Sequence, residues 1–191
     1  MKLTAFDEII LAFKVTHEEI LELVSNLSED EMTWQPHPTA NSIAFYIWHI
    51  ARWADYLPAS LPDTTAQLRE LLGSRQQIWH QEQLAAQWNL DPKLLGEEET
   101  GMDMDPASAA RLKLPSKVVL LDYARRTFAV LEQIVPMVDE EQFQAKRQQE
   151  WATNTLGQYI LDHLRHESDH FGMIRYIHGL YQSMASANES T

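Results

Sequence analysis

The chain has 191 residues, 45% of them hydrophobic, which suits one domain whose core buries roughly 70% of the unfolded surface. It contains no cysteine, so disulfides, thiolate ligands and thiol nucleophiles are excluded, and any metal must be held by His, Asp or Glu. Lys+Arg 15 against Asp+Glu 28 leaves a net charge of −13, a field that repels phosphate backbones and anionic lipid, so neither nucleic acid nor a membrane surface is an expected partner.

The N-terminal stretch mixes Asp7, Glu8, Lys14, Glu18 and Glu19 into its apolar pattern, which makes neither a signal segment nor a membrane span, and a cytoplasmic protein is expected. Over residues 4–26, Phe6, Ile9, Ile10, Phe13, Ile20, Leu21 and Val24 recur mostly at spacings of three and four, predicting an amphipathic helix with Thr4 as N-cap. Ser28 can cap one further helical turn. Pro36 and Pro38 then impose an extended connection behind Trp34, an aromatic plug. A second helix, capped by Asn41 or Ser42, is predicted over 42–57 and stopped by Pro58 and Pro62. It sets His49 on a face with Phe45, Tyr46, Trp53 and Tyr56.

Residues 68–88 suggest shorter helices interrupted near Gly73, and residues 89–115 carry turn chemistry with an acidic bias. Glu97, Glu98, Glu99, Asp103 and Asp105 lack the ligand order of a calcium loop, so a solvated acidic loop, functional or mobile, is expected. A third helix is predicted over 116–135, capped by Ser116 and ending near Pro136. Residues 139–151 read as a polar loop holding Lys146 and Arg147. Thr153 or Asn154 opens the last helix, over 155–183. No repeat and no alternating run demands a sheet. The predicted fold is all-α, a four-helix bundle with a loop-rich insertion between the second and third long helices; one domain spans 1–185, and 186–191 form a disordered tail.

The last helix places His163, His166, Glu167 and His170 on one face, because i, i+3, i+4 and i+7 return to the same side. That face is otherwise apolar or aromatic, through Leu156, Tyr159, Ile160, Ile174, Ile177 and Tyr181. Burying imidazoles and a carboxylate without partners costs on the order of a few kcal/mol each. A divalent metal is the simplest partner, the alternative being a hydrogen-bonded or titrating histidine patch. Such a metal needs a further ligand from a facing helix, where His49 is the obvious donor. His17, His37, His80 and His178 have no such neighbourhood and read as surface or packing residues. His166 to His170 also spells the H-E-x-x-H signature of zinc proteases. The longer form of that motif fails, since Met173 and Tyr176 stand where its glycine and third histidine belong.

Trp34-Gln35-Pro36-His37-Pro38, Asn41-Ser42-Ile43 and Trp48-His49-Ile50-Ala51, paired with the late His166-Glu167-Ser168-Asp169-His170-Phe171-Gly172-Met173-Ile174, resemble the DinB/YfiT-like superfamily of metal-dependent helical proteins. The resemblance implies a four-helix bundle, often dimeric, binding zinc or nickel through His49, His166 and His170. His163 lies outside that triad, as a supporting partner or a substitute ligand. Relatives include transferases and isomerases that use a low-molecular-weight thiol, and metal-binding proteins of unassigned activity. The expected function is therefore a metal-dependent S-transferase, isomerase or hydrolase acting on a small molecule, with a thiol cosubstrate; the alternative is a non-catalytic metal- or ligand-binding bundle. Three neutral imidazoles leave a metal open positions, where a water or thiol loses its proton near neutral pH. Glu167 is the candidate catalytic base or an orienting partner of the ligands. Lys146, Arg147 and Arg165 are candidate anchors for an anionic substrate. A homodimer is expected, because Trp79 and Trp88 are hard to bury within one bundle.

Overall fold

A computed structural model describes residues 4–148 and 154–189 of the chain. Helix α1 (Ala5–Ser25) opens on a reciprocal cap, in which the Thr4 hydroxyl accepts from Asp7 N and the Asp7 carboxylate accepts from Thr4 N. Its stripe of Phe13, Ile20 and Val24 is buried. The same device, between Ser28 and Glu31, starts the single turn of α2 (Glu29–Thr33). Ser42 caps α3 (Ile43–Ser60), whose buried residues lie on every side of it, as expected for the innermost helix. Pro58 does not end this helix. In the last turn its missing N–H removes only one rung, so the helix continues to Ser60 and passes into a 3₁₀ turn at Leu61–Asp63.

The insertion holds α4 (Ala66–Leu72), ended by Gly73 at φ 64°, then α5 (Ile78–Gln81), α6 (Leu84–Gln87) and α7 (Pro106–Ala110). Trp79 is only 1% exposed and meets Trp88 edge-on at 5.3 Å between ring centroids, while Trp88 meets Tyr123 at 5.6 Å. The aromatic surface that argued for a partner chain is thus consumed within the chain itself.

Tyr123 belongs to α8 (Lys117–Ile134), the third long helix. The segment read as a polar loop contains a single turn, α9 (Glu140–Gln144), capped reciprocally by Asp139 and Gln142; Trp151 and Thr153 lie outside the described residues. The last helix, α10 (Leu156–Glu189), runs past Ser183 through most of the segment expected as a tail, of which 190 and 191 lie outside the described residues. Among the described residues helices, turns and loops make up the fold, with no strand and only isolated bridges, Glu97 with Met102 and Lys146 with Thr155. No helix among them is long and apolar enough to cross a membrane.

The four long helices form the bundle. Helix α3 packs against α8 and α10, and α1 packs against the same two, so the first two long helices stand at opposite corners. This crossing places His49 and the last helix's histidines on facing surfaces.

Candidate metal centre

His49 on α3 and His166 and His170 on α10 bring one ring nitrogen each into a group within 4.8 Å. His166 Nε2 lies 3.0 Å from His49 Nε2 and 3.0 Å from His170 Nε2. The pair on α10 converges because residues four apart stack one turn above the other. His163 lines the same cavity but stands outside the group, edge-on to Trp53 at 5.3 Å and to Tyr159 at 4.7 Å. The four-group face expected of α10 therefore divides, and three histidines cluster.

The donor set fits a divalent transition ion. The Thr100 carbonyl can only accept, so the 2.5 Å contact makes His49 Nδ1 the N–H and leaves the Nε2 lone pair turned to the cluster. Burial first, then His170 and His166, pushes the His49 pKa down to about 3. Burial and His170 likewise push His166 down to about 4, and burial lowers His170. Near neutral pH all three rings are uncharged, the form in which imidazole binds metal. Two of the three nitrogen separations, 3.0 Å each from His166 Nε2, approach the edge, roughly 3.3 Å, of a tetrahedron with zinc–nitrogen bonds of about 2.0–2.1 Å, and all three atoms lie within 4.8 Å. The Nδ1 atoms of His166 and His170 meet no hydrogen-bond partner among the described residues, so His49 is the candidate ligand whose tautomer the fold dictates.

Thr100 sits in the acidic loop, which is far from free. Gly96, Glu98, Glu99, Gly101 and Asp103 all take positive φ, between 51° and 90°, folding the loop tightly onto α3. A Cβ at Gly101 would lie 2.8 Å from Trp48 Cζ3 and 3.0 Å from His49 Nδ1, so the approach needs glycine. Arg52, one turn beyond His49 and fully buried, donates from Nε to the Glu99 carbonyl and from Nη2 to the Glu98 carbonyl, both at 2.9 Å. The Glu99 carboxylate accepts from Trp79 Nε1 at 2.6 Å. The guanidinium also reaches Gln77 at 2.7 Å, Tyr123 at 3.1 Å and Asp55 at 3.4 Å. Asp55 in turn accepts from Ile78 N, Trp79 N and the Tyr123 hydroxyl, each at 2.9 Å. The loop expected to be solvated or mobile is pinned through its backbone, while Glu97, Glu98 and Asp103 do face solvent.

Glu167 looks elsewhere. Its Oε2 lies 3.0 Å from His17 Nε2, and His17 Nδ1 lies 2.7 Å from Glu132 Oε1. His17 also stacks flat on Phe128, with centroids 3.9 Å apart. Burial is the largest single influence and disfavours the imidazolium, but Glu167 and Glu132 together outweigh it and raise the His17 pKa to about 9. His17 is thus the centre of a buried polar chain among α1, α8 and α10. Glu167 is fully buried, and burial raises its carboxyl against the pull of His17. It is not part of the cavity wall, so the H-E-x-x-H glutamate faces the bundle interior and the zinc-protease arrangement is absent.

The cluster lies on the wall of a cavity of about 790 Å³. Of the basic residues singled out in the sequence, Arg165 reaches this wall. Arg147 covers the Tyr159 ring at 3.9 Å and donates to Asn154, and Lys146 is exposed away from the wall. Sequence reasoning missed Arg52, Asp55, Thr100, Gly101 and the link from His17 to Glu167. The available signal was Arg52 and Asp55 three apart on a helix otherwise apolar all round.

A crystal structure of a conserved protein from Enterococcus faecalis matches with a TM-score of 0.72 at 20% identity, over 93% of this chain and 96% of that one, a likeness of fold. Comparison with curated protein sequences gives no match. The model of the DinB superfamily matches residues 12–174, a span that includes His49, His166 and His170, and the chain belongs to that superfamily.

Proposed function

We propose that the protein is a metal-dependent enzyme acting on a small molecule, an S-transferase, isomerase or hydrolase. The observation that carries this reading is the convergence of three uncharged imidazoles on the wall of a cavity of about 790 Å³, within the roughly 300–1,000 Å³ of small-molecule sites. His49, His166 and His170 would hold zinc or nickel. A divalent ion held by three imidazoles supplies Lewis acidity and lowers the pKa of a water or thiol beside it. The chain's own groups do the rest: Thr100 O fixes the His49 ring, Gly101 lets the loop close over it, and Phe45, Tyr46 and Trp53 keep bulk water from the wall. With no cysteine in the chain, a sulfur nucleophile would come from a low-molecular-weight thiol cosubstrate. Glu167 is committed to His17, and we assign it the seating of α10 on the bundle rather than proton transfer.

Elemental analysis of the purified protein, followed by turnover of electrophiles with and without several low-molecular-weight thiols, tests this. One equivalent of metal and thiol- or water-dependent turnover lost in His49→Ala are expected. Stoichiometric metal without turnover would favour a binding bundle, and absence of metal would overturn the reading.

A further inference from the structure

The cavity wall is largely apolar, through Phe45, Tyr46, Trp53, Met102, Met104 and Ile177. Several polar side chains on it are engaged with the chain: Tyr159 OH with Ser60 Oγ at 2.9 Å, Asn41 with Tyr46, and His49 Nδ1 with Thr100 O. Trp53 Nε1 and the Nδ1 atoms of His166 and His170, each without a partner among the described residues, are the polar groups left over, and all three lie at the histidine end. The charged side chains among the described lining residues are Asp162 and Arg165, which lie 3.5 Å apart and are 54% and 73% exposed. They neutralise each other at the mouth, so the side chains along the body of the cavity carry no net charge, and a bound ion would add charge only at the histidine end. A charged group placed away from the histidine cluster would lose its hydration and meet mainly rings and thioethers, an uncompensated desolvation. The chain's charge of −13 further opposes anions.

We propose that this cavity takes an uncharged, predominantly apolar small molecule that presents one polar head to the cluster of His49, His166 and His170. The placement of the head rests on the metal-centre reading above, whereas the choice of body rests on the wall. Met102, Met104 and Met173 lie on that wall, and unbranched thioethers repack around different shapes. Aromatic and aliphatic bodies of similar size should therefore both be accepted, with the head, not the body, setting orientation.

Two probes share one ring system and differ by a charge: N-phenylnaphthylamine, which is neutral, and anilinonaphthalenesulfonate, which is anionic. Fluorescence titration of the zinc-loaded and the chelator-treated protein is expected to give one saturable site per chain that binds the neutral probe at least about tenfold more tightly. Equal or tighter binding of the sulfonate would overturn the proposal. Ala40→Trp, which fills the wall, should weaken the neutral probe at least about tenfold, and unchanged binding would mean that the probe sits elsewhere. Should that variant not fold, Met173→Lys, at a wall position already 44% exposed, should swing preference toward the sulfonate; an unshifted preference would also overturn the proposal. Metal content measured on the same samples separates the two readings. Neutral-probe binding by a protein that takes up no zinc on loading would end the enzyme reading and spare the apolar cavity, and zinc uptake without neutral-probe binding would do the reverse.

Discussion

His49 is oriented by an atom that belongs to no side chain, the carbonyl of Thr100, and a backbone acceptor leaves no mark in residue type. The three ligands could be matched from the family motif, but the device that selects the His49 tautomer was not legible. Gly101→Ala should expose it. The added Cβ meets Trp48 and His49 at 3.0 Å or less with φ at +90°, so a loss of about 1–3 kcal/mol in stability is expected by denaturant unfolding. Metal affinity should also fall roughly 10- to 100-fold, because the carbonyl is displaced. His49→Ala and His170→Ala should abolish stoichiometric metal, whereas His37→Ala, His80→Ala and His178→Ala should leave it intact, as read by elemental analysis. His17, read from the sequence as a surface or packing residue, is buried and charged. Its pKa is raised from 6.5 to about 9, so its stabilising contribution is complete below pH 6.5 and is lost as the pH rises through about 9. Urea unfolding across that window should show stability declining, with the decline flattened in His17→Gln.

Among the elements, the long helices were legible because their apolar residues repeat at 3.6, although Ser116, the cap expected of the third, makes no side-chain cap hydrogen bond. Thr4, Ser28 and Ser42 cap as the sequence predicts. Short pieces were harder. The single turn of α9 has too few residues to show a period, and its reciprocal cap, Asp139 with Gln142, is its one local signal. Pro58 misled because a proline's effect depends on how many turns follow it, which the sequence does not state. Arg52 went unread, since an arginine on a helix normally marks the solvent face, and here it is fully buried. Arg52→Met should leave Asp55 buried without its cation and free the carbonyls of Glu98 and Glu99. A destabilisation of about 3–5 kcal/mol is expected from thermal or urea unfolding. Weakened metal binding at a temperature where the fold persists would show that the loop had lifted from His49.

At the scale of the whole molecule, a metal at the histidine cluster joins α3 to α10 and is bound only by the folded bundle. At a free ion concentration of a hundred times Kd, binding adds about 2.7 kcal/mol. Chelation should therefore lower Tm by roughly 5–10 °C, at about 2–4 °C per kcal/mol for a chain of this size, and by nothing in His49→Ala. With Trp79 and Trp88 packed inside, a homodimer rests on the family resemblance alone. We propose it on that ground; light scattering at micromolar concentration should give twice the chain mass, and a monomer would refute it.

The centre is also ordered in time. His49 leaves the ribosome early, Thr100 follows, and His166 and His170 come last, after most of the 191 residues have been made. Until then α3 has no α10 to cover it, and Trp48, Ile50 and Ala54, each 0% exposed in the finished bundle, belong to an unfinished core. Before the last helix is made a nascent chain holds one of the three clustered histidines, so a metal bound by all three would have to be captured after release of the last helix. Chains arrested before residue 156 should carry no metal and should bind holdase chaperones, whereas full-length chains should be loaded and released. The final helix is thus both the lid of the core and the element whose arrival completes the histidine cluster.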